Sequence, residues 1–124
     1  MQNAAARVTL NLPPCTHITP HLKELHWLPI HKQALFKLLT HTYKALHNIG
    51  PTFLNNCINF HKPTRHLRSA GLLLAHTPRT CRTRSSGRAF YHLAPKAWND
   101  LPLHIKAASS VLEFHKKLKA LLFT

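Results

Sequence analysis

With 124 residues, 17 Lys and Arg against only three acids, and a formal charge of +14, this chain is one domain at most and cannot neutralise itself by internal ion pairing. Its hydrophobic fraction of 44% is ordinary for a globular domain, and its low charged fraction of 16% reflects the near absence of acids. No apolar run approaches the ~20 residues of a membrane helix and no signal-peptide core opens the sequence. The widely spaced Cys15, Cys57 and Cys81 argue against a disulfide framework and for free thiols in a reducing compartment, nuclear or cytoplasmic and not secreted.

Residues 2 to 16 begin with a helix-favouring alanine run and end at Pro13-Pro14, which cannot continue a helix. Thr19 as N-cap, Pro20 in the first turn and Pro29 as a stop predict a short helix over 20–28 bearing Leu22, Leu25, Trp27 and Leu28. From 31 to 48, Leu35, Phe36, Leu38, Leu39, Tyr43 and Leu46 recur at helical period opposite Lys37, His41 and Lys44, and Gly50-Pro51 supplies the end. A further turn brings Phe53, Leu54 and Ile58 to the same core.

Beyond residue 60 the texture changes. Residues 61 to 88 hold Lys62, Arg65, Arg68, Arg79, Arg82, Arg84 and Arg88, no acid, and the breakers Pro63, Gly71, Pro78 and Gly87. Leu72-Leu73-Leu74 and Arg88-Ala89-Phe90-Tyr91 are expected to form two short strands joined by a long basic loop. Near the C-terminus, Ser110 and Glu113 make a capping box ahead of Val111, Phe114, Leu118, Leu121 and Leu122 on one face, with Lys116, Lys117 and Lys119 off it. The expected fold is mainly α: a small helical fragment with one short β-hairpin and a long basic loop. It divides into a helical part (19–60), a basic loop and hairpin (61–92), and a Trp-containing segment with the C-terminal helix (93–124).

The seven cations from Lys62 to Arg88 are the candidate binding surface. Guanidinium forks and ammonium groups hold phosphates without reading sequence, and six Arg to one Lys favours bidentate contact. The expected partner is RNA or DNA, with no membrane association; the bland alternative is a hydrated loop. Trp27 and Trp98 could stack on bases, but each sits in an apolar, proline-bounded context and is read as a core anchor. Twelve histidines and three cysteines lack the tight ligand spacing of a zinc site. Cys15 with His17 and His21, or Cys57 with His61, are partial matches only, and no metal or other cofactor is expected. Two-metal phosphoryl chemistry needs clustered carboxylates, and Glu24, Asp100 and Glu113 are isolated, so no catalytic residue is assigned and no enzymatic activity is expected.

Two strings carry a resemblance: Ala94-Pro95-Lys96-Ala97-Trp98-Asn99-Asp100-Leu101-Pro102 and Leu25-His26-Trp27-Leu28-Pro29. Both resemble strings in the C-terminal, post-polymerase region of LINE-type (non-LTR) retrotransposon reverse transcriptase polyproteins. The likeness continues through Gln2-Asn3-Ala4-Ala5-Ala6-Arg7, His17-Ile18-Thr19-Pro20, Tyr43-Lys44-Ala45-Leu46-His47, Arg65-His66-Leu67-Arg68-Ser69, Arg88-Ala89-Phe90 and the stretch from Ser109 to Phe123, in the family's order. The parent enzyme is an RNA-directed DNA polymerase, whose Tyr-x-Asp-Asp string has no counterpart in this chain, and neither has the C-terminal zinc knuckle that some LINE-type proteins carry. The resemblance implies a non-catalytic tail that helps hold template RNA or target DNA, with the reverse transcriptase domain of a full-length element as a further partner. It also makes Met1 look like a start inside a longer reading frame. An alternative expectation is a decayed, transposon-derived frame with no selected function, in which arginine codons have become histidine, glutamine or cysteine codons by C-to-T change. A metal-binding module is the weaker alternative.

Overall fold

The computed structural model describes residues 1–65, 71–78 and 89–123. Seven α-helices lie among them: α1 (Gln2–Thr9), α2 (Thr19–Glu24), α3 (Ile30–Leu46), α4 (Thr52–Asn55), α5 (Phe90–Asn99), α6 (Leu103–Lys106) and α7 (Val111–Phe123). The long helix α3 is the hub, with α5 and α7 packed on it, α4 folded back at its C-terminal end and α6 beside α7. Its apolar period buries Leu39, Tyr43 and Leu46 against Ala94 and Trp98 of α5, Ile105 of α6, and Phe114, Leu118 and Leu122 of α7. At the centre, the Tyr43 ring stacks on Phe114 with centroids 4.4 Å apart, and Trp98 lies 5.9 Å from Phe114. Such ring pairs add about 0.5–1.5 kcal/mol each beyond the area they bury. The buried Tyr43 hydroxyl donates to the Ala108 carbonyl at 2.9 Å, so its desolvation is compensated.

Three helices end on a left-handed residue. Asn11 after α1, His26 after α2 and Asn48 after α3 have φ of 50°, 52° and 56°. In each case the amide of that residue and the amide after it turn back to the last carbonyls: after α2, His26 N–H donates to Lys23 O at 3.0 Å and Trp27 N–H to Leu22 O at 2.8 Å. This is a Schellman closure, with Asn or His where glycine is usual. The end of α3 therefore belongs to Asn48 and not to Gly50, whose φ is not positive. A Cβ at Gly50 would stand 3.4 Å from Lys44 Cβ, an ordinary van der Waals contact, so neither backbone conformation nor space demands glycine there.

At the start of α2 the N-cap position is Ile18, with no side-chain cap bond, and Thr19 and Pro20 form its first turn. The expected capping box of α7 forms in shifted register: Ser110 Oγ accepts from Glu113 N–H at 3.2 Å. The Glu113 carboxylate reaches one residue further back, accepting from Ser109 N–H at 2.9 Å and Ser109 Oγ at 2.7 Å.

Four further expectations fail. The hairpin is replaced by helix: Phe90 and Tyr91 open α5, and Leu72 lies in an exposed turn. The reason is that Phe90, Ala94, Ala97 and Trp98 share one helical stripe facing α3, so burial favours helix over a four-residue strand. The one β feature among the described residues is an isolated antiparallel bridge between Phe60 and Ala75. Phe53 is 66% exposed, and only Ile58 of that turn enters the core. Trp27 is 38% exposed and Leu121 is likewise exposed, whereas Trp98 is fully buried.

Candidate nucleic-acid interface

The basic segment is rooted in a short extended stretch, residues 74–76, clamped from both sides. In an extended chain successive peptide groups point to opposite edges. On one edge, His61 N–H donates to Leu74 O at 2.8 Å and His76 N–H to Asn59 O at 2.9 Å. On the other, Ala75 N–H donates to Asn99 Oδ1 at 2.9 Å, Asn99 Nδ2 donates to Ala75 O at 3.1 Å, and Trp98 Nε1 donates to Leu73 O at 2.8 Å. The Asn99 amide thus does what a neighbouring strand would do. Leu73 is held in the left-handed region at φ 48°. Nearby, buried Lys106 donates its ammonium to the Asn99 carbonyl at 3.0 Å, closing the C-terminal end of α5. Burial pulls the Lys106 pKa down, an effect that Asp100 partly opposes.

Beside this clamp lies an open cleft of about 660 Å³ whose lining includes Asn48, Asn55, Asn59, Lys62, His76 and Tyr91. Tyr91 is 41% exposed. The rings of His61 and His76 lie nearly parallel, with centroids 6.4 Å apart. Asn55 Oδ1 is a buried acceptor with no hydrogen-bond partner. The Cys57 thiol, on the same wall, is exposed and donates to Phe53 O at 3.1 Å.

Of the predicted binding residues, Lys62 and Arg65 are described; both are exposed, and Lys62 lines the cleft. Arg68, Arg79, Arg82, Arg84 and Arg88 lie outside the described residues. The chain leaves the described structure at Pro78, which lines the cleft, and re-enters at Ala89, two residues before Tyr91, which also lines it. Both attachment points of the Arg79–Arg88 stretch are therefore at or near one rim. Lys23, Lys37, Lys96, Lys116 and Lys119 are exposed elsewhere on the surface.

The acids do little to offset this charge. Glu24 pairs with His21 of its own helix at 3.2 Å, and Glu113 with Lys117 at 2.7 Å. Lys117 and the two Ser109 hydrogen bonds hold the Glu113 carboxyl down at about 2. Among the described residues no group of three or more His, Cys, Asp or Glu could hold a metal ion, and no helix is long and apolar enough to cross a membrane.

Sequence reasoning missed Tyr91, assigned to a strand, and the asparagines of the cleft. The density of asparagine at 48, 55, 56 and 59 was the available signal, since amides crowded onto turns often face a shared polar surface. Fold and site together define a small, mainly helical, strongly basic protein. Set against protein-family models, curated proteins and solved structures, the chain matches none.

Proposed function

We propose that this chain is a non-catalytic, nucleic-acid-binding module that holds RNA or DNA phosphates through Lys62, Arg65, Arg68, Arg79, Arg82, Arg84 and Arg88, with little preference for sequence. The observation that carries the reading is the charge imbalance, 17 cations against three acids, two of which are engaged with neighbours on their own helices. A surface of this kind attracts polyanions and gains affinity by counterion release. Its resemblance to the post-polymerase tail of LINE-type reverse transcriptases supports nucleic acid as the polyanion, and makes the polymerase domain of a full-length element a second partner. Glu24, Asp100 and Glu113 sit on α2, at the end of α5 and on α7, which supports the absence of two-metal chemistry.

Binding of single-stranded RNA and duplex DNA should weaken about tenfold or more between low and physiological salt. Replacing Arg79, Arg82, Arg84 and Arg88 together by Ala should flatten the plot of log affinity against log salt for duplex DNA by about 3–4 units, at roughly 0.9 per lost phosphate contact. A salt-independent affinity would sink the proposal, and an unchanged slope in the quadruple variant would move the surface to the helix lysines. The rival reading, a decayed frame without selected function, draws on the twelve histidines; a degraded polymerase frame in the flanking genomic DNA would favour it.

A further inference from the structure

We infer that the cleft walled by Asn48, Asn55, Asn59, Lys62, His76 and Tyr91 is a nucleobase site, taking an unstacked base of a single strand. The inference rests on the nucleic-acid reading above and deepens it. Cations alone would explain phosphate binding and would leave the character of this cleft unaccounted for.

Three observations converge. First, the cleft has the right size and mixture. At about 660 Å³ it lies within the ~300–1,000 Å³ of small-molecule sites, and like them it combines apolar walls with a few convergent polar groups. Second, its polar groups are of the kind that read base edges. Amides carry donor and acceptor side by side, as do the edges of bases, and three asparagines, Asn48, Asn55 and Asn59, line this cleft. Third, Tyr91 lines the cleft and is 41% exposed, with the His92 ring tilted against it at 4.4 Å, although Ala94 and Trp98 of the same helix are fully buried. A partly exposed aromatic side chain lining the same cleft as Lys62 is the combination that stacks bases along a cationic track. An acidic peptide would use the cations and leave ring and amides idle.

The test compares the full chain binding a short single-stranded oligonucleotide with its binding to an abasic oligonucleotide of the same length and charge. The base-bearing strand should bind about tenfold tighter. Tyr91→Ala should erase that ratio while leaving abasic binding unchanged, and Tyr91→Trp should restore it, with circular dichroism confirming that both variants fold. Alkylation of Cys57, on the cleft wall, should be slowed more by the base-bearing strand than by the abasic one, with Cys15 as the internal control. Equal affinity for the two strands overturns the nucleobase site and leaves the phosphate-binding proposal standing. Failure to bind either overturns both. A ratio that survives Tyr91→Ala, with no selective protection of Cys57, also overturns the assignment of this cleft.

Discussion

Replacing Asn99 by Ala tests whether two hydrogen bonds fix the root of the basic segment. The Asn99 amide donates to and accepts from the backbone of a single residue, Ala75, at 3.1 and 2.9 Å, and Ala75 is itself buried. Each bond is worth about 0.5–1.5 kcal/mol net, and a buried peptide group left without a partner costs about 1–3 kcal/mol. Asn99 is only partly buried, so water can reach one of the two orphaned groups, and the expected loss is about 2–3 kcal/mol. With a urea m-value of roughly 1–2 kcal/mol per molar for a chain of this size, the midpoint should fall by about 1–3 M. Urea titration followed by far-ultraviolet circular dichroism measures it. Asn99→Asp should do little better, because it keeps an acceptor for Ala75 N–H but sets a carboxylate oxygen against the Ala75 carbonyl. Hydrogen exchange at His61, Ala75 and His76 should accelerate about 30-fold, the equivalent of about 2 kcal/mol. A midpoint within about 0.2 M of the parent chain, with protection at these amides unaltered, would refute the clamp.

The two tryptophans should part company: Trp98→Ala, at a fully buried site, should cost about 3–5 kcal/mol and abolish the cooperative transition, whereas Trp27→Ala, at a site 38% exposed, should cost about 1 kcal/mol, within the common range for single substitutions. Similar losses at both positions would contradict the burial difference. Glu113 provides a pH test. Its carboxyl is lowered from an ordinary 4.5 to about 2, so its contribution to stability is complete above 4.5 and is lost as the pH falls through that window. Glu113→Gln should therefore flatten the fall of Tm with acidification over this range, and an unchanged fall would mean that the Lys117 and Ser109 contacts contribute nothing in solution.

How much of this could be read from the chain depends on how local each determinant is. The arc from Leu35 to Leu46 and the stripe Phe114, Leu118, Leu122 are legible because helical period records which face is buried, and Ser110 with Glu113 marks a helix start through bonds that span three residues. Ambiguity enters where an apolar run is short. Arg88-Ala89-Phe90-Tyr91 suits either a strand or the first turn of a helix, and what decides is the continuation of the stripe through Ala94 and Trp98 onto α3. Trp27 and Trp98 stand in similar local contexts, and only the packing of distant elements separates them: Trp98 meets Tyr43 and Phe114, whereas Trp27 flanks a groove between α2 and the end of α7.

The cleft was the least legible part, because its walls come from the end of α3, the turn after α4, the extended stretch before Pro78 and the start of α5. The Trp98-Asn99 pair shows how a short string can matter without chemistry of its own. The two side chains are adjacent in sequence and reach backbone groups 24 and 25 residues away, at Ala75 and Leu73. The amide of Asn99 grips the extended residue Ala75, and the indole N–H of Trp98 holds the left-handed turn at Leu73 two residues earlier. Pro78 lies three residues past that grip, and Ala89 is the N-cap of the helix that supplies it. The same two side chains therefore tie the stretch that leads to Pro78 to the C-terminal end of the helix that Ala89 opens.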